Sequence, residues 1–127
     1  MLSTDELFFF NEHPAAVGLY EAFASRLLAE IEDVTVKVQK TQISFSNKRN
    51  FAFVSFLPVR KAKARPEVYI TVTFSLQYNK ESPRIDVATE PYPNRWTHHV
   101  LISSAEEIDD GLMGWIKEAA AFSAGKR

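Results

Sequence analysis

The spacing of apolar residues changes twice along this chain, and that change constrains the fold more than any other feature. After Pro14, apolar residues recur every three or four positions, as on one face of a helix: Ala16, Leu19, Tyr20, Phe23, Leu27 and Ile31. Between residues 34 and 102 the spacing falls to two, which is typical of strands. From residue 104 the helical spacing returns. The sequence therefore predicts an α+β fold with a helix over 14–31, a sheet within 34–102 and a helix over 104–123.

Short polar or proline-containing segments divide the middle of the chain into strands. The predicted strands are Val34–Val38, Ile43–Phe45, Phe51–Val59, Val68–Phe74, Arg84–Thr89 and Trp96–Ile102. Connections of a few residues favour antiparallel neighbours. We expect a five- or six-stranded antiparallel meander with both helices packed on one face, in a single domain spanning 1–127. Residues 1–11 are predicted to form an N-terminal arm.

An apolar sheet face and an apolar N-terminal segment favour contact with a partner protein. Phe51–Val59 is almost wholly apolar, as in a central strand buried on both faces. We expect Tyr69, Ala52, Val54 and Phe56 to project from the sheet face that the helices leave open. Together with the segment Leu7-Phe8-Phe9-Phe10, this face is a candidate surface for a homodimer. The commoner role of such a segment is to cover one end of the core.

The charge balance and the absence of cysteine exclude several classes of function. Lys plus Arg is 15 and Asp plus Glu is 16, so the net charge of −1 provides no overall attraction to nucleic acid or to an anionic membrane. The 127 residues include no cysteine, which excludes disulfides, thiolate nucleophiles and cysteine-based zinc sites. No apolar run approaches a membrane span. We expect a cytoplasmic protein.

The pair His98-His99 raises the question of a metal or an acid–base site. Consecutive strand residues point to opposite faces, so the two imidazoles cannot easily bind one metal ion. We predict no metal and no other cofactor. One of the two histidines is a candidate general acid or base because its pKa is near neutrality, and the alternative is a hydrogen-bonded structural role.

Motifs that would require an enzyme are absent. The chain has no Gly-x-Ser-x-Gly sequence, and its four glycines form no phosphate-binding loop. No pair of acidic residues fits glycoside hydrolysis. The sequence leans towards a protein without catalytic activity.

Cations are concentrated in one loop, Arg60-Lys61-Ala62-Lys63-Ala64-Arg65. A solvated turn is the usual interpretation of such a run. In a meander, however, alternate turns emerge at the same end of the sheet. One cationic edge near Trp96 would then be formed by Lys40, Arg60, Arg65 and Arg95, which suits a carboxylate, a phosphate or a nucleotide base.

Four strings of residues resemble a known family. They are Lys40-Thr41-Gln42-Ile43-Ser44-Phe45, Phe51-Ala52-Phe53-Val54, Arg95-Trp96-Thr97-His98-His99, and Glu107-Ile108-Asp109 followed by Trp115-Ile116. Over about residues 14–122 the chain is similar to a bacterial domain-of-unknown-function family, DUF 5655. The resemblance supports one intact domain, implies no mechanism, and draws attention to Lys40, Gln42, Arg95, Trp96, His98 and His99.

These observations rank three hypotheses on function. The first is a non-enzymatic binding module for a small anionic ligand, a phosphate group or a nucleic-acid end, with ligand-binding residues Lys40, Gln42, Arg60, Arg95, Trp96, His98 and His99. The second is an interaction or homodimerisation domain. The third is an enzyme that uses His98 or His99 as its general acid or base.

Overall fold

A computed structural model describes residues 2–125, which form three helices and six strands. Pro14–Ala16 forms a 3₁₀ turn before α2, and Ala105–Glu107 forms one before α3. Both turns fall where the sequence predicts a helix to begin. The bounds of the elements are α1 Thr4–Phe9, α2 Val17–Glu30, β1 Thr35–Val38, β2 Gln42–Ser46, β3 Asn50–Ser55, β4 Ile70–Leu76, β5 Val87–Tyr92, β6 Arg95–Ile102 and α3 Asp110–Gly125.

The six strands form one antiparallel sheet in the order β1-β2-β3-β4-β6-β5. The predicted α+β class, with a helix on either side of an antiparallel sheet in the chain, is confirmed. The order departs from a simple meander only at the last two strands. β6 pairs with β4, and β5 lies at the edge of the sheet, where Pro91 removes no hydrogen bond from a central ladder.

Both long helices lie on one face of the sheet, which we call the helix-covered face. The strand register places Phe45, Ala52 and Phe74 opposite one another on that face. Phe23 of α2 contacts Phe45 edge-on, with ring centroids 5.8 Å apart, and Trp115 of α3 stacks on Phe74 at 5.7 Å. The hydrophobic core therefore lies between the sheet and this pair of helices.

The strand that is buried on both faces is β4. All seven of its residues are buried, whereas Phe53 and Ser55 of β3 are only half-buried. Ala52 and Val54 lie on the helix-covered face, opposite Phe45 and Ile43, and are fully buried. The expectation that these two residues project from the other face is therefore wrong, because the alternation of β3 follows that of β2.

The N-terminal segment folds back on the sheet instead of trailing as an arm. Ser3 and Glu6 cap α1 reciprocally, and the Glu6 carboxylate also accepts a hydrogen bond from the Tyr20 hydroxyl. Burial and the nearby Glu6 carboxylate raise the pKa of Tyr20. Phe10 is buried against Tyr20 and Phe56. These contacts fix the segment that follows α1 at one end of the sheet.

The segment 77–86 connects β4 to β5 and explains the order of the last strands. The Lys80 amide donates to the His98 imidazole, and the Tyr78 hydroxyl donates to Glu118 of α3. Further on, the Arg84 guanidinium donates to Asp109 and to the Glu107 carbonyl, at the start of α3. The connection thus runs the length of the sheet beside α3. Within residues 2–125, no helix has the length and apolar character to cross a membrane.

Candidate functional site

The face of the sheet opposite α2 and α3, which we call the open face, carries mainly polar side chains. The register aligns Phe53, Thr73 and His99 in one row across β3, β4 and β6. Gln42 and Ser55 form the neighbouring row on β2 and β3. Because directly opposed residues share a face, these five side chains form a continuous surface.

A cavity of about 650 Å³ lies on this surface. Its floor is made by the two rows, and Thr97 extends it on β6. One wall comes from the end of α1 and the segment that follows it. Phe9, the last residue of α1, stacks on Phe56 at 5.6 Å, and His13 stacks on the same ring at 4.0 Å. A volume of this size lies in the range of small-molecule sites.

Three of the predicted site residues meet in this cavity: Lys40, Gln42 and His99. Lys40 belongs to the turn between β1 and β2, and Gln42 is the first residue of β2. The Gln42 amide donates to Gln39, 3.2 Å away. Lys40 makes no hydrogen bond or ion pair with any residue of the range 2–125, so its ammonium group is available to a ligand.

Arg60 is engaged elsewhere. Its Nε atom lies 2.7 Å from Oδ1 of Asp86, and this carboxylate holds the pKa of Arg60 above its usual value. Asp86 also accepts the backbone N–H of Leu101 at 3.0 Å. The pair ties the 57–69 connection to the start of β5, and Arg60 does not line the cavity.

Arg95 and Trp96 lie at the other end of the sheet. Trp96 is paired with Leu76, the last residue of β4, and Arg95 donates to the Asn50 carbonyl at 3.2 Å. The turn with Lys40 is separated from this end by the length of β2, about 17 Å for five residues. The predicted cationic edge is therefore not formed. The 77–86 connection returns along the sheet, so β5 runs in the direction opposite to that expected in a meander. The turn between β5 and β6 then lies at the end of the sheet away from Lys40.

His98 lies on the helix-covered face and is fully buried. Its ring stacks on Phe74, and its Nε2 atom accepts the Lys80 N–H at 2.9 Å. The ring proton is therefore on Nδ1, which has no hydrogen-bond partner among residues 2–125. Burial lowers the pKa of His98, so the imidazole is held neutral, and it has no access to the cavity.

His99 points the other way, into the cavity. Its Nδ1 atom lies 2.8 Å from the Thr73 hydroxyl, which fixes the plane of the ring. Burial first, and the neighbouring His98 second, lower the pKa of His99. The remaining nitrogen, Nε2, makes no hydrogen bond within the described part of the chain. The site therefore contains a neutral imidazole with one nitrogen left for a ligand.

Several cavity residues were not singled out from the sequence. Thr73 and Thr97 face the cavity from β4 and β6, and Phe53 faces it from β3. Their positions follow from strand alternation once the register is known, so the signal was present in the period of two. The contribution of His13 and Glu12 had no such signal, because it depends on the N-terminal segment folding against Phe56.

The charges on the cavity lining are one cation and one carboxylate. Lys40 provides the positive charge, and Glu12 provides the negative charge. These two side chains do not form an ion pair with each other or with other residues between 2 and 125. In that range no group of three His, Asp or Glu side chains is placed to hold a metal ion. The arrangement suits hydrogen bonding and apolar contact, with a single site of positive charge for an anionic group.

Comparison with known proteins places the chain in one family. No curated protein and no solved structure gives a significant match. Residues 7–123 match the family DUF5655, described as a domain of unknown function. The match covers nearly the whole chain, including every strand and most of α3. The chain therefore belongs to the DUF5655 family.

Proposed function

We propose that this domain is a non-enzymatic binding module for a small anionic ligand, which occupies the open-face cavity. The observation that carries the proposal is the convergence of Lys40, Gln42 and His99 on one cavity of about 650 Å³. Lys40 and Gln42 come from the β1–β2 hairpin and His99 comes from β6, and all three line the same cavity.

The lining supports a small molecule more than a nucleic acid. Lys40 is the cation at this cavity among the described residues, whereas Arg60 is paired with Asp86 and Arg95 lies at the far end of the sheet. Phosphate backbones are bound through several cations in a row. A single lysine next to an amide and hydroxyl groups instead suits one carboxylate or one phosphate.

Aromatic side chains give the cavity an apolar part. Phe53 on the floor is half-buried, and the stacked rings of Phe9 and Phe56 form the wall. Small-molecule sites usually combine such apolar surface with a few polar groups that fix orientation. The ligand we propose therefore has an apolar body as well as its acidic group.

A thermal-shift screen of small carboxylates and phosphates tests this proposal. Probes that raise the melting temperature of the wild type should lose most of that effect with Lys40→Gln, because the ion pair with the ligand is gone, and affinity should fall about tenfold. Lys48→Gln is the matched control, since Lys48 is an exposed lysine in the turn between β2 and β3. Equal shifts in wild type and Lys40→Gln would end the proposal.

An enzyme remains the second candidate, and only His99 favours it. A hydrogen bond on one imidazole nitrogen with the other nitrogen free is the arrangement of a general base. His98 has no such role, because it is sealed in the core. Turnover of a bound ligand that disappears with His99→Gln while binding persists would favour catalysis over binding alone.

The interaction alternative rests on different residues. Leu7 and Phe8 of α1 are 51% and 75% exposed. Light scattering at increasing protein concentration distinguishes this alternative, since a homodimer would gain mass and a binding module would not.

A further inference from the structure

The polar groups of the cavity lie at two separated ends. Lys40 and Gln42 belong to the β1–β2 hairpin, whereas Thr97 and His99 belong to β6. In the sheet order, β2 and β6 are three strand steps apart, with β3 and β4 between them. At about 4.8 Å per step, the separation across the strands is about 14 Å. The row of Gln42 meets β6 at Leu101, two residues from His99 and four from Thr97. With this displacement along the strands, Gln42 is about 16 Å from His99 and about 20 Å from Thr97.

The surface between these ends is apolar on β3. Phe53 lies in the row that ends at His99, between Ser44 of β2 and Thr73 of β4. The Phe56 ring stands beside it and carries Phe9 and His13 on its faces. A ligand that runs from the hairpin to β6 crosses β3 near Ser55 and Phe53, where the Phe53 ring offers it apolar contact.

The two ends differ in charge. The hairpin end contains Lys40, which provides the positive charge of the lining. The β6 end contains the Thr97 hydroxyl, the Thr73 hydroxyl and the His99 ring. The two hydroxyls are uncharged, and burial lowers the pKa of His99, which favours the neutral imidazole. The Thr73 hydroxyl is already bonded to that ring.

We infer that the ligand is an elongated molecule with an acidic group at Lys40, an apolar body over Phe53, and a neutral hydrogen-bonding group at Thr97 and His99. This inference rests on the proposed function and adds the class of ligand. Hydroxylated or amidated carboxylic acids with a long apolar body have this chemistry. Simple phosphate or acetate ions would reach only the hairpin end.

The carboxylate of Glu12 restricts where the acidic group binds. Glu12 belongs to the N-terminal wall beside His13, and it lines the neighbouring smaller cavity of about 300 Å³ as well. Its negative charge opposes a second acidic group on the ligand near the wall. A ligand with one acidic end and one neutral end fits this distribution of charge better than a dicarboxylate does.

A series of ω-hydroxy carboxylates, from the six-carbon to the sixteen-carbon member, provides the test. Each probe is compared by calorimetry with the plain carboxylate of the same length. The hydroxyl should add little affinity in short members and several-fold in members long enough to span about 16–20 Å. Thr97→Val, which removes the hydroxyl and keeps the shape, should reduce that gain.

Thr89→Val is the matched control. Thr89 is directly opposite Thr97 on β5, is exposed, and does not line the cavity. The gain from the hydroxyl should therefore persist in Thr89→Val.

The outcomes separate the inference from the proposed function. Suppose that binding depends on Lys40 but the gain in affinity from the hydroxyl does not depend on the length of the probe. This result would overturn the inference and leave the proposed function standing. A gain from the hydroxyl of long probes that persists in both Thr97→Val and His99→Gln would also overturn the inference, because the far end of the ligand would then contact other residues. Failure of every probe to bind would overturn both.

Discussion

His98 and His99 are neighbours in the sequence and belong to two different environments. His98 is fully buried on the helix-covered face, where its ring is stacked on Phe74 at 5.0 Å. His99 lies on the open face, where it is bonded to Thr73 and borders the cavity. One step along β6 separates a core residue from a candidate ligand-binding residue.

The comparison extends to the whole of β4. Its residues Ile70, Val72 and Phe74 face the helices, and Thr71, Thr73 and Ser75 face the other way, yet all six are buried. The hydroxyls of Thr71 and Thr73 are hydrogen-bonded, to the Leu57 carbonyl and to His99. Apolar burial on one face stabilises the fold. On the other face, hydrogen bonds satisfy the buried hydroxyls, and Thr73 lines the cavity.

The largest expected difference between the faces is in the response to loss of a phenylalanine ring. Phe74→Ala should lower the free energy of unfolding by about 3–5 kcal/mol, because a fully buried ring leaves a cavity between His98 and Trp115. Phe53→Ala, on the half-buried open face, should cost about 1 kcal/mol and should weaken ligand binding instead. Urea unfolding measures both variants. Equal losses of stability would contradict the division into a structural and a functional face.

A smaller effect is expected from pH, and it tests the buried histidine. The folded-state pKa values of His98 and His99 lie below the ordinary value of 6.5. In the window below about pH 6.5 the unfolded chain therefore binds protons at these positions that the folded chain does not. The part of the free energy of unfolding that depends on these neutral imidazoles should be fully present above about pH 6.5 and should be lost as the pH falls below it.

Urea unfolding at about pH 7.5 and about pH 5.5 measures this loss. His98→Gln should be less stable than the wild type at both values, but its stability should change less between them. A wild-type free energy of unfolding that is the same at both values would contradict the assignment of a neutral buried imidazole to the helix-covered face.

The smallest predicted effect concerns Glu12 on the wall of the cavity. Glu12→Gln removes a carboxylate from the lining and leaves its size almost unchanged, so binding of an anionic probe should strengthen by about two- to fivefold. Glu21→Gln is a suitable control, because Glu21 is an exposed residue of α2 outside the cavity. Weaker binding by Glu12→Gln would show that this carboxylate contacts the ligand favourably.

The period of the apolar residues was sufficient to predict the two long helices, the strands and the class of fold, but not the short helix α1. Both helices, the turn at Lys40 and the neighbouring hairpin strands depend on local spacing, which a sequence displays directly. The placement of β5 depends on contacts between Arg84 and the start of α3, and nothing in the local pattern reveals them.

The candidate site was predictable only in part, for the same reason. Lys40, Gln42 and His99 were identified by residue type, and the register brought them together. The pairing of Arg60 with Asp86 could not be predicted, because the two residues are far apart in the sequence. Arg95 lies at the other end of the sheet because the order of the last strands differs from a meander. The wall formed by Phe9 and His13 depends on the N-terminal segment docking on Phe56, which is a tertiary contact.

That docked segment has a consequence for the order in which the molecule matures. The floor of the cavity requires β2 to β6, and its wall is contributed by residues near the very start of the chain. Contacts between segments so distant in sequence carry a large loop-closure cost and form late in folding. The wall leaves the ribosome long before the floor exists, so the binding site forms only after β6, the last strand of the sheet in the chain, has paired.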